Sequence, residues 1–213
     1  MERSSSDETA YFKYGKPEID LLKKQDPVLG ALIDRLGPLR REVRTDRFQV
    51  LVDSIVSQQI SGKAAQSVLA KLEQLTGDVS PETLTGVSVA MLRSCGLSER
   101  KAGWLQNLAR EVSDGRMDLG GLDALADDEV VARLVTLPGI GVWTAEMFLI
   151  FAMQRPDVVS WGDFGIRRGM SLLYGFETLT KKEFLTRRQA YSPCGTVASL
   201  YLWAVTRQEE RIP

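Results

Sequence analysis

Histidine is absent from all 213 residues, and cysteine occurs only at Cys95 and Cys194. Without an imidazole, Ser-His-Asp and Cys-His catalysis are excluded, as is any His-based metal site. Two cysteines so far apart cannot supply the four thiolates of a zinc or iron–sulfur centre within one chain. They read instead as reduced, small residues of the core. No apolar run approaches the ~18 residues of a membrane-crossing helix; the longest is Met147 to Met153. The opening MERSSSDETA lacks the apolar core of a secretory signal, so a cytoplasmic address is expected. Strand alternation is missing too, and β-branched runs are short. Nor is positive charge in surplus, since a net charge of −1 argues against non-specific coating of nucleic acid.

What is present is the composition of a soluble globular chain, 44% hydrophobic and 26% charged, long enough for one domain or two small ones. The basic residues are unevenly spread. Arg35, Arg40, Arg41, Arg44 and Arg47 cluster early, and Arg167, Arg168, Lys181, Lys182, Arg187 and Arg188 cluster late. Such clusters form solvated helix faces or a local basic surface.

Capping residues divide the chain into about ten helices. Residues 1–16 are polar and serine-rich and read as a disordered tail. Pro17 opens a helix to Gln25, Asp26-Pro27 opens another that stops at Gly37, and Asp46 caps the apolar stripe of Phe48, Leu51, Val52, Ile55 and Val56. Ser61, Ser80, Ser88 and Ser98 each stand before a further helical run. Leu119 to Ala126 reads as a loop or short helix, and Asp127 opens DEVVARLVTL. Asp163 precedes a helix through Tyr174, Thr180 caps KKEFLTRRQAY, and Pro193 introduces the last helix. The class is all-α.

One stretch stands apart. Leu137-Pro138-Gly139-Ile140-Gly141 is a glycine turn leading into an apolar helix, and glycine lets backbone approach a ligand closely. The N–H groups at a helix start carry partial positive charge and bind phosphate oxygens. The same residues also serve as ordinary punctuation between helices. A helix of about four turns and a returning loop would bring Asp163 back near that turn. Asp163 is an N-cap by type, or an acid in a cleft. Trp143 and Met147 share one face of the helix after the turn. Both suit a core, although Trp143, beside the turn, also suits stacking on a base. Trp161, Trp203, Tyr191 and Tyr201 are further aromatic candidates.

LPGIGVWTAEMF, followed by the aspartate of WGDFGIRRGM, resembles the helix-hairpin-helix, Gly/Pro-rich, aspartate signature of the DNA base-excision glycosylase superfamily. IVSQQISGKAAQSV and VASLYLWAV extend the likeness to the 3-methyladenine DNA glycosylase II group, over roughly residues 27–207. The resemblance implies a two-lobed helical fold over 17–213, its hairpin near 128–154 and its active-site cleft between the lobes. It implies a monofunctional glycosylase that releases alkylated purines from flipped nucleotides in double-stranded DNA. Such an enzyme needs no cofactor for catalysis and works as a monomer, nucleoid-associated in a bacterium or nuclear in a eukaryote.

By the same resemblance Asp163 is the catalytic acid, Trp143, Met147 and Trp203 line the base pocket, and Gln59 is the wedge that fills the vacated stack. Pro138, Gly139, Ile140, Gly141, Trp143 and Thr144 hold a DNA phosphate. The carbonyls of Val135, Leu137 and Ile140 offer a site for Na+ or K+. Met147 departs from an aromatic in some relatives, and Gly162 from a second acid. Trp143 occupies the position of the lysine nucleophile in the strand-cleaving branch, which argues against Schiff-base chemistry. The cysteine quartet of the iron–sulfur branch is missing, and the chain is short for an extra N-terminal β-domain. The alternative is a non-catalytic helix-hairpin-helix DNA-binding protein in which Asp163 is only a cap; a third is an all-α interaction protein that does not touch DNA.

Overall fold

The computed structural model describes residues 10–209. In chain order they form α1 (Lys16–Gln25), α2 (Pro27–Leu36), α3 (Arg47–Ser57), α4 (Gly62–Thr76), α5 (Pro81–Thr85), α6 (Val89–Ser94) and α7 (Glu99–Ser113). A 3-10 turn (Gly121–Ala124) follows, then α8 (Asp127–Leu134), α9 (Val142–Phe151), α10 (Phe164–Tyr174), α11 (Lys181–Tyr191) and α12 (Gly195–Glu209). The described residues contain no strand, only an isolated bridge between Tyr11 and Glu42. The all-α expectation holds.

The helix starts are set by single side chains. Asp46, Ser61, Ser80, Ser88, Ser98 and Thr180 each accept a backbone N–H in the first turn of the helix that follows. Each satisfies a donor that helical geometry leaves without an internal partner, worth about 1 kcal/mol. α8 opens at Asp127 as the sequence reading has it, with Glu129 reaching back to the Ala126 N–H at 2.8 Å. One detail differs from that reading. α9 has 10 residues rather than four turns, and beyond it Gln154 takes φ +53 just ahead of Arg155-Pro156.

Of the expected tail, residues 1–9 lie outside the described residues. Residues 10–15 are packed, not loose. Phe12 is buried, and its N–H donates to the Arg41 carbonyl at 2.8 Å. The Tyr14 hydroxyl accepts the Leu39 N–H at 2.7 Å and lies 2.5 Å from the Leu39 carbonyl. This segment has neither helical nor strand periodicity; two aromatic side chains dock it.

By contacts the chain divides into two units, and the boundary falls within α9. One unit is Thr45–Phe148; the other takes the chain up to Arg44 together with Leu149 onward. In the first, α7 packs against α3, α5 and α6, and α3 against α4. In the second, α10 lies along α12, and a Cβ at Gly169 would run into the Leu202 carbonyl, so only glycine allows that approach. Its core gathers Leu22, Leu29, Ile33, Ile166, Met170 and Leu202 around the rings of Phe184, Tyr191 and Tyr201.

Asp26 ties three helices of the second unit together. Its Oδ1 accepts the Val28 and Leu29 N–H groups, both at 3.0 Å, while Oδ2 accepts the Tyr174 hydroxyl at 2.7 Å. The Tyr174 and Tyr191 hydroxyls lie 2.8 Å apart, and Arg187 stacks over the Tyr174 ring. Burial, then the neighbouring phenol, holds Tyr174 well above the ordinary phenol range; burial raises Tyr191 too.

Both cysteines are free and buried, as expected of core residues. Burial, helped by the carboxylates of Glu18 and Asp157, pushes the Cys194 thiol up, which keeps it a poor nucleophile. Among the described residues no helix is long and apolar enough to cross a membrane, and no cluster of acid or cysteine side chains could hold a metal ion.

Candidate active site and DNA-binding hairpin

Asp163 sits at the N-cap of α10, only 7% exposed. Its Oδ1 accepts the Ile166 N–H at 2.8 Å and also the indole N–H of Trp203, forty residues on, at 2.8 Å. The cap reading is therefore correct, but a cap alone does not recruit a tryptophan from another helix. Trp203 is itself held by Phe151, whose ring stacks on the indole at 5.7 Å and 23°. Arg41 lies over the other ring of this pair, 4.8 Å from the Phe151 centroid.

Gly165 makes the indole–carboxylate contact possible. A Cβ there would lie 2.8 Å from Trp203 Cδ1, 3.1 Å from Nε1 and 3.2 Å from Asp163 Oδ1. The loop that delivers Asp163 is pinned to α12 by two buried hydroxyls. Thr196 Oγ1 donates to the Arg155 carbonyl at 2.6 Å and accepts the Val158 N–H at 3.0 Å. The Ser199 hydroxyl donates to the Val158 carbonyl at 2.9 Å. At the start of α12, Asp157 accepts the Gly195 N–H and the Ser192 hydroxyl. The carboxylate thus follows a loop several of whose backbone polar groups are paired with buried side chains of α12.

The glycine turn lies in the other unit, between α8 and α9. Gly139 has φ +89, and a Cβ on it would meet the Trp104 ring at 2.5 Å. Both facts demand glycine. Arg100 covers the same indole at 5.0 Å. Ile140 is buried and its N–H closes the turn onto the Leu137 carbonyl at 3.1 Å. The Gly141 carbonyl accepts the Ala145 N–H at 3.0 Å, placing Gly141 at the head of α9. Pro138, Gly141 and Val142 are exposed while Thr144 is buried, so the turn shows backbone to solvent above an apolar footing.

The remaining candidates separate by exposure. Trp143 is 47% exposed in the first turn of α9, and Met147, one turn on, is 9% exposed. Gln59 is exposed and takes φ +57. Its neighbour Gln58 donates from Nε2 to the Gly139 carbonyl at 2.8 Å, so the turn after α3 and the glycine turn touch. Tyr191 and Tyr201 are fully buried in the core, and Trp161 packs edge-on against Phe184. Sequence reasoning missed Phe151, Gly165 and Phe164; the last directly follows Asp163 and is 73% exposed. A glycine early in α10, where it weakens a helix, was the cue available for Gly165.

The chain belongs to the HhH-GPD superfamily of base excision DNA repair proteins, whose model matches residues 52–193. It is similar to a DNA-3-methyladenine glycosidase of known structure from Bacillus halodurans, 38% identical, with 95% of each chain covered and a TM-score of 0.86. It is also similar to the Schizosaccharomyces pombe 3-methyladenine DNA glycosylase, solved in complex with abasic DNA. There the identity is 26%, covering 93% of this chain and all of that one, at a TM-score of 0.79. The DNA-3-methyladenine glycosylase of Saccharomyces cerevisiae is 34% identical over 170 residues, 75% of this chain and 57% of the yeast protein. The chain therefore spans just over half the length of that relative.

Proposed function

We propose that this protein is a monofunctional DNA glycosylase of base excision repair, hydrolysing the N-glycosidic bond of alkylated purines in duplex DNA. The observation that carries this reading is the Asp163 carboxylate, buried, capping α10 and hydrogen-bonded by Trp203.

A purine inside a duplex is out of reach, so the nucleotide must first rotate out of the stack, at a cost of a few kcal/mol. Gln59, exposed on its tight turn, fills the gap. Pro138 to Gly141, with the head of α9 through Trp143 and Thr144, holds a phosphate, which fixes the strand without reading its sequence. Trp143, Met147 and Trp203 are each assigned to contact with the extruded base, and aromatic faces favour an electron-poor cationic ring.

An N3- or N7-alkylated purine already carries positive charge. As its bond to C1′ breaks, the bonding pair goes to the purine nitrogen and the base leaves neutral. The sugar becomes oxocarbenium-like, and the fixed negative charge of Asp163 stabilises it. Water adds to C1′ and loses a proton to the carboxylate or to solvent, leaving an abasic site. Trp143 carries no amine, so no Schiff base forms at that position. The turn carbonyls of Val135, Leu137 and Ile140 are neutral oxygen donors of the kind that hold Na+ or K+. The Leu137 carbonyl accepts one N–H, from Ile140, and keeps a second lone pair. A cation held there would add positive charge to the turn assigned to phosphate binding. The enzyme acts as a monomer on chromosomal DNA.

Asp163→Asn tests the reading cleanly, because the amide oxygen still accepts from Ile166 and Trp203 while the charge is gone. Methylated duplex DNA incubated with wild type should yield free 3-methyladenine and 7-methylguanine, and the variant should yield almost none. Equal release by both, or none by the wild type, refutes the assignment. Borohydride added during turnover should trap no protein–DNA adduct; a trapped adduct would refute the monofunctional assignment.

A further inference from the structure

Among the described residues of the Thr45–Phe148 unit, Gln59 is the only non-glycine with positive φ. A residue bearing a Cβ is strained there, and such strain persists only where the surroundings over-determine it. Here they do. From α7, the Lys101 ammonium donates to the Val56 carbonyl at 2.8 Å and to the Gln58 carbonyl at 2.5 Å. The Gln58 side chain then donates to the Gly139 carbonyl of the glycine turn. On the far side, Ser61 caps α4 and ends the irregular stretch. Burial lowers the Lys101 pKa below the ordinary lysine value, so the contact is made at a desolvation cost.

A lysine at a helix C-terminus commonly satisfies loose carbonyls. That alone would not account for Gln58, held at its own carbonyl by Lys101 while its amide grips the turn 81 residues further along the chain. Nor would it account for the strained residue that follows. Resting on the wedge and phosphate roles proposed above, we infer that Lys101 and Gln58 are positioning residues for base flipping. Together they hold Gln59 in fixed register with the phosphate-gripping turn. Seizing the backbone and filling the stack then happen in one docking event, and the strain at Gln59 is set before DNA arrives. Lys101 touches neither the base nor the sugar in this role; it acts through Gln59.

The test uses two duplexes, each with a single 7-methylguanine, one opposite cytosine and one opposite a tetrahydrofuran abasic residue. Flipping breaks both pairing and stacking in the first duplex and stacking alone in the second, so it is cheaper there. Under single-turnover conditions Lys101→Met, Gln58→Met and Gln59→Ala should each slow release from the paired lesion about tenfold, equivalent to ~1.4 kcal/mol. For Lys101→Met and Gln58→Met, release from the unpaired lesion should stay within about twofold. The Lys101→Met/Gln59→Ala double variant should be no slower than Gln59→Ala, because the lysine works only through the wedge.

Lys101→Arg, which keeps the charge and the donors, should restore most of the paired-lesion rate. Should Lys101→Met melt too early to assay, Gln58→Met carries the same comparison. Equal losses on both duplexes, wild-type rates on the paired one, or additive losses in the double variant overturn the positioning role. A Gln59→Ala variant at wild-type rate on the paired lesion overturns the wedge assignment beneath it. A wild type silent on both duplexes overturns the release of alkylated purines itself.

Discussion

Replacing Gly165 with alanine adds one methyl group to a place the structure has filled. The new Cβ would stand 2.8 Å from Trp203 Cδ1 and 3.2 Å from Asp163 Oδ1, inside van der Waals contact on two sides. The Asp163 side is anchored by the Ile166 N–H, so the indole must give. It cannot slide freely, because Phe151 is stacked against it. A retreat of under 1 Å takes Nε1 out of hydrogen-bond range of Oδ1, and the carboxylate loses the indole while keeping its cap. On the catalytic role proposed for Asp163, misplacement by about 1 Å costs up to about a hundredfold. With the cap intact the loss should be nearer tenfold, about 1.4 kcal/mol in the barrier. The fold suffers less. Crowding costs about 1–3 kcal/mol, and replacing a helical glycine with alanine returns about 0.5–1. Single-turnover release of 7-methylguanine, measured well below the melting temperature, should therefore fall about tenfold. Trp203→Phe, which removes the N–H without adding bulk, should slow release in parallel. A Gly165→Ala variant at wild-type rate refutes the reasoning. So does a slow Gly165→Ala variant beside an unimpaired Trp203→Phe, since the methyl would then act elsewhere.

Other outcomes follow from the same coordinates. Gly139→Val forces a branched side chain into φ +89 and onto the Trp104 ring, so urea unfolding should show a loss of about 3 kcal/mol or more, and duplex binding by fluorescence anisotropy should weaken in parallel. Gly169→Ala should separate α10 from α12 at Leu202 and lower the melting temperature by several degrees; an unchanged melt would contradict the close approach. The raised phenols predict alkaline instability. Below the unfolded-state pKa near 10 both states are protonated and stability is full. Above it the unfolded chain loses protons that Tyr174 and Tyr191 retain, so stability falls by about 1.4 kcal/mol per pH unit per tyrosine. Tyr174→Phe should flatten that slope in denaturant titrations between pH 9 and 11, and an unaltered slope would exclude Tyr174 as a contributor.

The helices were legible in the sequence because their starts are chemical. Asp46, Ser61, Ser98 and Thr180 act within three residues of themselves, and local chemistry survives in a one-dimensional string. The glycine turn was legible for the same reason. The partner of Asp163 was not, since Trp203 meets it across forty residues through the packing of α12 on α10. Lys101 gave no signal either: in ERKAGW it is one charged residue on a helix, and only the tertiary fold sets its ammonium on the carbonyls ending α3. Residues 10–15 were misread because two aromatic side chains, not a period, dock that segment.

Asp163 does two jobs with one oxygen, since the atom that starts α10 also belongs to the acid. When the first turn of that helix frays, the carboxylate loses its bearing in the same instant. On the catalytic role proposed for Asp163, fraying of that single helical turn and loss of base release should therefore go together.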